Sequence, residues 1–308
     1  MSTQVTTSFI QGFKQGIDIL SQQRGSKLQN AVRNEMQNSK QDHYAQIGST
    51  AVVQRTSRHG DTPIVNTPHS RRNVVLNDYE WADLIDRQDR LRLLNDPGNA
   101  YSTNAAFAMG RKKDELILDA FTKTQTTGEL GAGASADAVQ VAFGAAGGSS
   151  DPGPLTVEKL LVARSALLME DDSEEEMFCA LTQYQMSQLL DDTRISSADY
   201  NTVKALVAGN VDSFVGFKFI SLAQSLPGMG VTEGVAGADD SNRPVYFWKK
   251  SGIVLSTGVG ESGSSARITE RADKSYSTQI YYSASYGSAR MEEAKLAIGY
   301  ADDSDPTA

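Results

Sequence analysis

The sequence predicts an α+β fold, and three stretches carry that prediction. Residues 155–228 read as a helix, a buried strand, a second capped helix, a loop and an aromatic hairpin. A long helix is expected from about Ser102 to Lys123. The clearest strand alternation places Tyr276, Thr278, Ile280, Tyr282, Ala284 and Tyr286 on one face.

The first stretch opens after a breaker cluster, Asp151-Pro152-Gly153-Pro154, where Thr156 offers a capping oxygen. Val157, Leu160, Leu161, Arg164, Leu167 and Leu168 then recur at helical spacing, and the helix is expected to stop near Met169. Glu170 to Glu176 would oppose the dipole at a helix C-terminus, so this acidic run reads as a solvated loop. Met177-Phe178-Cys179-Ala180-Leu181 suits a buried strand. Thr182 and Gln185 have capping-box spacing, and Met186, Leu189 and Leu190 give the next helix its apolar side. Val211 to Ile220 alternates as strands, with Gly216 where a turn or bulge is needed, and Pro227-Gly228 closes the unit.

This order of elements, with Gly209, Val211, Gly216-Phe217-Lys218-Phe219-Ile220 and Leu226-Pro227-Gly228 in sequence, resembles the apical-domain opening of tailed-phage major capsid proteins, the Johnson fold. The rest of the chain follows the same family order. Phe9, Phe13, Ile17, Leu20 and Leu28 form a helical stripe on a Gln-rich segment, too short to be stable alone. It reads either as a helix docked on its own domain or as an arm docked on a neighbour. Ala51-Val52-Val53 and Val74-Val75-Leu76 bracket a charged excursion containing Arg55, Arg58, Arg71 and Arg72, which reads as a long hairpin. In the family this position is an extended loop that lies over an adjacent subunit. Asn77-Asp78 is expected to start a helix through Trp81, Leu84 and Ile85 to Leu94, stopped by Pro97-Gly98.

The Ser102–Lys123 helix, with Ala105, Met109, Leu116 and Ala120 inward and Arg111 to Glu115 outward, resembles the family's spine helix. Residues 126–150 are Gly- and Ala-rich, with a short strand expected at Val139, Val141 and Phe143. After Tyr246-Phe247-Trp248 and Ile253-Val254-Leu255 comes the long alternating strand. Gly287-Ser288-Ala289-Arg290 stands where the family carries Gly-x-x-Arg, and Lys295 to Tyr300 reads as a closing strand before an acidic tail, Asp302 to Asp305.

The resemblance implies a division into an N-terminal arm (1–48), an extended loop (49–77), a peripheral domain with the spine helix (78–154), an apical domain (155–250) and return strands (251–308). Deleting residues 1–45 would then leave a folded chain that assembles poorly.

Composition narrows the function. At 308 residues the chain is long enough for one or two domains with a real core, and its net charge of −9 argues against a protein that coats nucleic acid. The first 123 residues carry +3 and the remainder −12. A single cysteine, Cys179, excludes an intrachain disulfide framework and reads as a small buried hydrophobe. No signal peptide or membrane-spanning run is visible, which points to synthesis in a cytoplasm.

Chemistry is not signalled. His43, His59 and His69 lack metal-ligand spacing, and Gly128 to Gly133 lacks the Gly-Lys-Ser/Thr ending of a phosphate loop. The acidic run after Met169 reads as solvated rather than as a cation site. No catalytic residue, cofactor or metal is assigned.

The resemblance instead implies a structural protein that assembles with itself, as hexamers and pentamers, into a phage head built in the host cytoplasm. Such a head encloses double-stranded DNA without reading its sequence, can engage scaffolding, portal and decoration proteins, and has no membrane. Phe9, Phe13, Ile17, Leu20, Arg55, Arg58, Arg71 and Arg72 are the inter-subunit contact candidates. The alternatives are an encapsulin-type compartment shell and a soluble α+β enzyme with a diffuse acidic site.

Overall fold

The computed structural model describes residues 20–86, 98–127, 133–134, 139–140, 153–169, 175–191, 213–230, 242–259 and 265–303. In chain order, after a 3-10 turn at Gln29–Ala31, the elements are β1 (Arg33–Gln37), β2 (Gln41–Ile47), β3 (His69–Val75), β4 (Asn77–Ile85) and α1 (Gly98–Thr122). The short strands β5 (Thr126–Thr127), β6 (Gly133–Ala134) and β7 (Val139–Gln140) lead to α2 (Val157–Leu168), β8 (Met177–Thr182) and α3 (Gln183–Asp191). Then come β9 (Ser213–Phe214), β10 (Phe217–Leu222), β11 (Asn242–Lys249), β12 (Ile253–Gly258), β13 (Ser265–Arg271), β14 (Ser277–Arg290) and β15 (Leu296–Asp302).

The strands form three sheets. A six-stranded sheet has the order β7-β15-β11-β8-β10-β9, and a four-stranded one β2-β3-β5-β6. The third runs β1-β12-β14-β13, with β4 also paired to β14. Residues of β8 are buried throughout because the six-stranded sheet is covered on both sides. Phe178 and Ala180 enter a core with Ile117, Phe121 and Trp248, below α1. Met177, Cys179 and Leu181 enter a second core with Leu160, Leu167 and Met186, from α2 and α3. A continuous apolar run, rather than an alternating one, is what a strand with two buried faces requires.

Local chemistry anchors the elements around that sheet. The capping box forms as read: Gln185 N donates to Thr182 Oγ1 at 3.3 Å, and Thr182 N donates to Gln185 Oε1 at 3.0 Å. Val215 (φ 54°) and Gly216 (φ 84°) make the left-handed two-residue turn that joins β9 to β10. The helix α1 begins at Gly98, a little before its expected start, and buries Ala105, Met109, Leu116 and Ala120 as the periodicity required. Leu161, counted on the apolar face of α2, is exposed, and the buried face passes instead through Ala163.

Two expectations about strands and helices are overturned. The helix expected from Asn77 to Leu94 is a strand as far as Ile85; residues 87–94 lie outside the described set. Trp81, Leu84 and Ile85 fit a helical spacing, yet burial alternates with period two, Tyr79, Trp81, Asp83 and Ile85 facing in. Pairing with β14 along the whole of β4 decides the outcome over local pattern. The first arm of the long hairpin is β2, not Ala51-Val52-Val53; β2 pairs with β3 from Gln41↔Val75 to Ile47↔His69. Its half-buried face is Asp42, Tyr44 and Gln46, too polar to announce itself. Within the acidic tail, Asp303 is buried and accepts from Arg243 Nε (2.7 Å), Gln224 Nε2 (2.6 Å) and the Thr182 hydroxyl.

Residues 28–47, expected in an arm, are built into the body. Leu28, Ala31 and Val32 are buried in the core beside Trp248, whose indole N–H donates to the Ala31 carbonyl at 2.9 Å. β1 runs parallel to β12, from Arg33↔Val254 to Gln37↔Gly258. Removing residues 1–45 is therefore expected to abolish folding, since each buried aliphatic side chain is worth about 1.5–3 kcal/mol and a whole strand leaves with them. Removing only residues 1–19 touches none of these contacts. Circular dichroism melts of the two truncations check this; a cooperative melt from the longer deletion would contradict it.

Candidate assembly interface

Two regions place the inter-subunit candidates. The first is the hairpin β2–β3. Its root is held by Arg72, which is buried, donates from Nε to the Met291 carbonyl at 2.9 Å and clasps both oxygens of Glu293 at 2.6 Å. Gln46 Nε2 donates to the same carbonyl at 2.9 Å, and Val74 packs with Val254, Ala289 and Met291. Nη2 alone makes both contacts to Glu293, and a charge-assisted hydrogen bond in a largely desolvated site is a strong contact. Arg72 therefore serves its own chain, and the basic run in which it stands gave no sign of this.

Beyond the root the chain makes few contacts with itself. Gly48 N bonds the Pro68 carbonyl at 2.9 Å, and Arg55 Nε bonds the Ser57 carbonyl at 2.8 Å. Val52 is 98% exposed and Ile64 90% exposed. Arg55, Arg58 and Arg71 are all solvent-facing. A loop that presents β-branched residues to water and is held rigidly at its base is suited to being covered by another surface.

The second region is the segment entering the body at residue 20. Leu20 is 87% exposed, while Phe9, Phe13 and Ile17 lie outside the described residues. From Gln22 onward the segment lies along α1. Gln22 Nε2 donates to Asn104 at 3.0 Å, Arg111 Nη1 donates to Gln22 Oε1 at 2.6 Å, and the buried Asp114 carboxylate accepts from Lys27 N (2.9 Å) and Leu28 N (3.0 Å). One turn earlier, Gly110 allows the closest approach, since a Cβ there would stand 2.4 Å from the Gly25 carbonyl carbon. Asp114 was expected on the outward charged run; it is instead the post to which the entering segment is tied. At the other end of α1, the fully buried Arg290 donates from Nη1 to the carbonyls of Ala120 (3.1 Å) and Phe121 (2.7 Å).

Among the described residues no group of three or more His, Cys, Asp or Glu side chains is placed to hold a metal ion. Cys179 is buried, and desolvation pushes its thiol well above the ordinary range, away from nucleophile chemistry. His43, His59 and His69 are exposed and dispersed along β2, the loop and β3.

The sequence profile of the family described as phage capsid protein matches residues 5–300. The chain belongs to that family. As a phage capsid protein it is a structural, self-associating component of the virion, not an enzyme. Solved structures share its fold at low identity. A chain from Mycobacterium phage Che8 superposes with a TM-score of 0.69 at 13% identity, covering 94% of this chain and 97% of that one. The capsid of cyanophage P-SCSP1u gives a TM-score of 0.69 at 14% identity, over 99% and 96%. The acid-stable capsid of Helicobacter pylori bacteriophage KHP30 gives 0.66 at 11%, over 99% and 98%. No curated protein matches the sequence significantly.

Proposed function

We propose that this capsid protein assembles as hexamers and pentamers into a closed icosahedral head that encloses double-stranded phage DNA. The observation that carries the reading, beyond family membership, is the loop of residues 48–68, which exposes Val52 and Ile64 from a root fixed by Arg72 and Glu293. In the assembled head that loop is covered by a neighbouring copy, and Arg55, Arg58 and Arg71 with the N-terminal residues Phe9, Phe13, Ile17 and Leu20 contribute contacts between copies. The peripheral domain corresponds to α1 with β4, β13 and β14, and the apical domain to the six-stranded sheet with α2 and α3. Scaffolding, portal and decoration proteins are the further partners such a head uses, and assembly takes place in the host cytoplasm. The DNA is enclosed and not read, in keeping with a net charge of −9.

Light scattering and negative-stain microscopy on the purified chain test the reading. Closed shells are the expected result, with DNA inside particles taken from the native source. A monodisperse monomer or dimer across salt conditions would overturn it, and packaged enzyme in place of DNA would assign the shell to a cargo compartment.

A further inference from the structure

A groove of about 700 Å³ lies beside the segment entering the body. One face of α1 gives it Ala108, Arg111 and Glu115, the turn after β10 gives it Leu226 and Pro227, and Ser21 closes its third side. The turn is fixed against α1. A Cβ on Gly228 would stand 3.0 Å from the Leu118 Cβ, and the Tyr246 hydroxyl donates to the Gly228 carbonyl at 2.5 Å. The groove therefore runs along α1, with Ala108 toward one end and Leu226-Pro227 toward the other.

Two observations point to the occupant. The first is position. Leu20 is exposed and Ser21 already lines the groove, so the 19 residues before Leu20 are attached at its lip. Three residues span at most about 11 Å, which brings Asp18 within reach of Arg111, whose Nη1 meets Gln22 Oε1 at 2.6 Å. The second is charge. Residues 1–19 hold two charged side chains, Lys14 and Asp18, four residues apart, as are Arg111 and Glu115 on α1. Laid parallel to α1, the two pairs would set like charges together. Laid antiparallel, they match: Asp18 with Arg111 and Lys14 with Glu115. From Gln22, which meets Asn104 and Arg111, to Lys27 and Leu28, which meet Asp114, the entering segment runs in the direction of α1. Residues before Ser21 reach the groove only by folding back at Leu20, and that lays them antiparallel. In this register Phe13 and Ile17, one helical turn apart in spacing, fall against the apolar part of the groove at Ala108, Leu226 and Pro227.

We propose that residues 9–19 of the unassembled chain dock in their own chain's groove, antiparallel to α1, and leave it to make contacts with neighbouring copies. Docking hides Phe13 and Ile17, so it holds the free chain back from association. The tether at Ser21 presents the segment to its own groove at an effective concentration in the millimolar range, far above that of the same segment from another copy in dilute solution. The hold over association rests on the self-assembly proposed above; the docking itself does not.

Cysteine pairing tests the docking. With Cys179 buried and Ser225 exposed at the groove, Phe13→Cys combined with Ser225→Cys should oxidise in the unassembled chain to an intramolecular disulfide, seen as a faster-migrating monomer on non-reducing electrophoresis. Adding Lys14→Glu and Asp18→Lys should slow that reaction about threefold to tenfold, because like charges then meet Arg111 and Glu115. Unlinked monomers, linked dimers, or a rate indifferent to the reversal would overturn the docking. The oxidised chain should form shells at least about tenfold more slowly than the same chain reduced, since its segment cannot leave the groove. Equal rates would overturn the hold over association. Failure of the unmodified chain to form shells would overturn self-assembly and that hold with it, while the disulfide still decides the docking.

Discussion

Arg290→Ala is expected to destabilise the fold by about 3–5 kcal/mol, which would lower the urea midpoint by about 1–2 M. The last carbonyls of a helix have no partner within it, and α1 has no basic residue in its final turn. Arg290 supplies the missing donors from β14, reaching Ala120 and Phe121 from a fully buried position. Its charge also sits at the negative end of the helix dipole. Alanine would leave those carbonyls without this donor and open space for the guanidinium and its stem, and it would remove the cation 3.9 Å from Glu293. Arg290→Lys keeps the charge but not the planar fork, so about half the loss should return. Equal urea midpoints for the wild type and the alanine variant would refute this account of the α1 terminus.

Asp114→Ala should cost a similar amount, about 3–5 kcal/mol, by a different route. The carboxylate is fully buried and accepts two backbone N–H groups, of Lys27 and Leu28, together with the side chains of Gln23 and Ser26. Alanine strands those donors in a region where water cannot reach all of them. The segment entering the body should then lift from α1, freeing its backbone so that trypsin cuts after the already exposed Arg24 and Lys27 well before the rest of the chain unfolds. Asp114→Asn retains one acceptor oxygen and should fall between. Unchanged cleavage at Arg24 and Lys27 in the alanine variant would show that other contacts hold the segment.

What could be read in the sequence was whatever its own neighbours determine. The capping box at Thr182 and Gln185 and the turn at Gly216 are each written in a few adjacent residues, and each forms; β14 forms too, but it begins at Ser277, with Tyr276 exposed in a left-handed turn, and its burial does not alternate residue by residue. The long helix was legible because its apolar spacing repeats over several turns. Asp114 was not legible, because its burial depends on Leu28, 86 residues away, and its flanks of Lys and Glu look like a solvated face. The same holds for Arg72, whose partner Glu293 is 221 residues distant. β4 shows the remaining failure. Trp81, Leu84 and Ile85 satisfy a helical spacing, and only the partner strand β14 reveals that period two governs. The candidates at the interface divide likewise: Arg55, Arg58 and Arg71 stand exposed where a basic loop was expected, whereas Arg72 was claimed by a tertiary contact that no local pattern announces.

The pairing of β1 with β12 and the anchoring of Arg72 at Met291 have a consequence for timing. Both join an early part of the chain to a late one, so both carry a large loop-closure cost. A growing chain that has not yet exposed Met291 and Glu293 has nothing to hold the root of its loop. β15, which lies between β7 and β11 in the six-stranded sheet, is also made almost last. The surface by which one copy would engage another is therefore completed only as synthesis finishes, and a half-made polypeptide on a ribosome cannot present it to its neighbours on the same message.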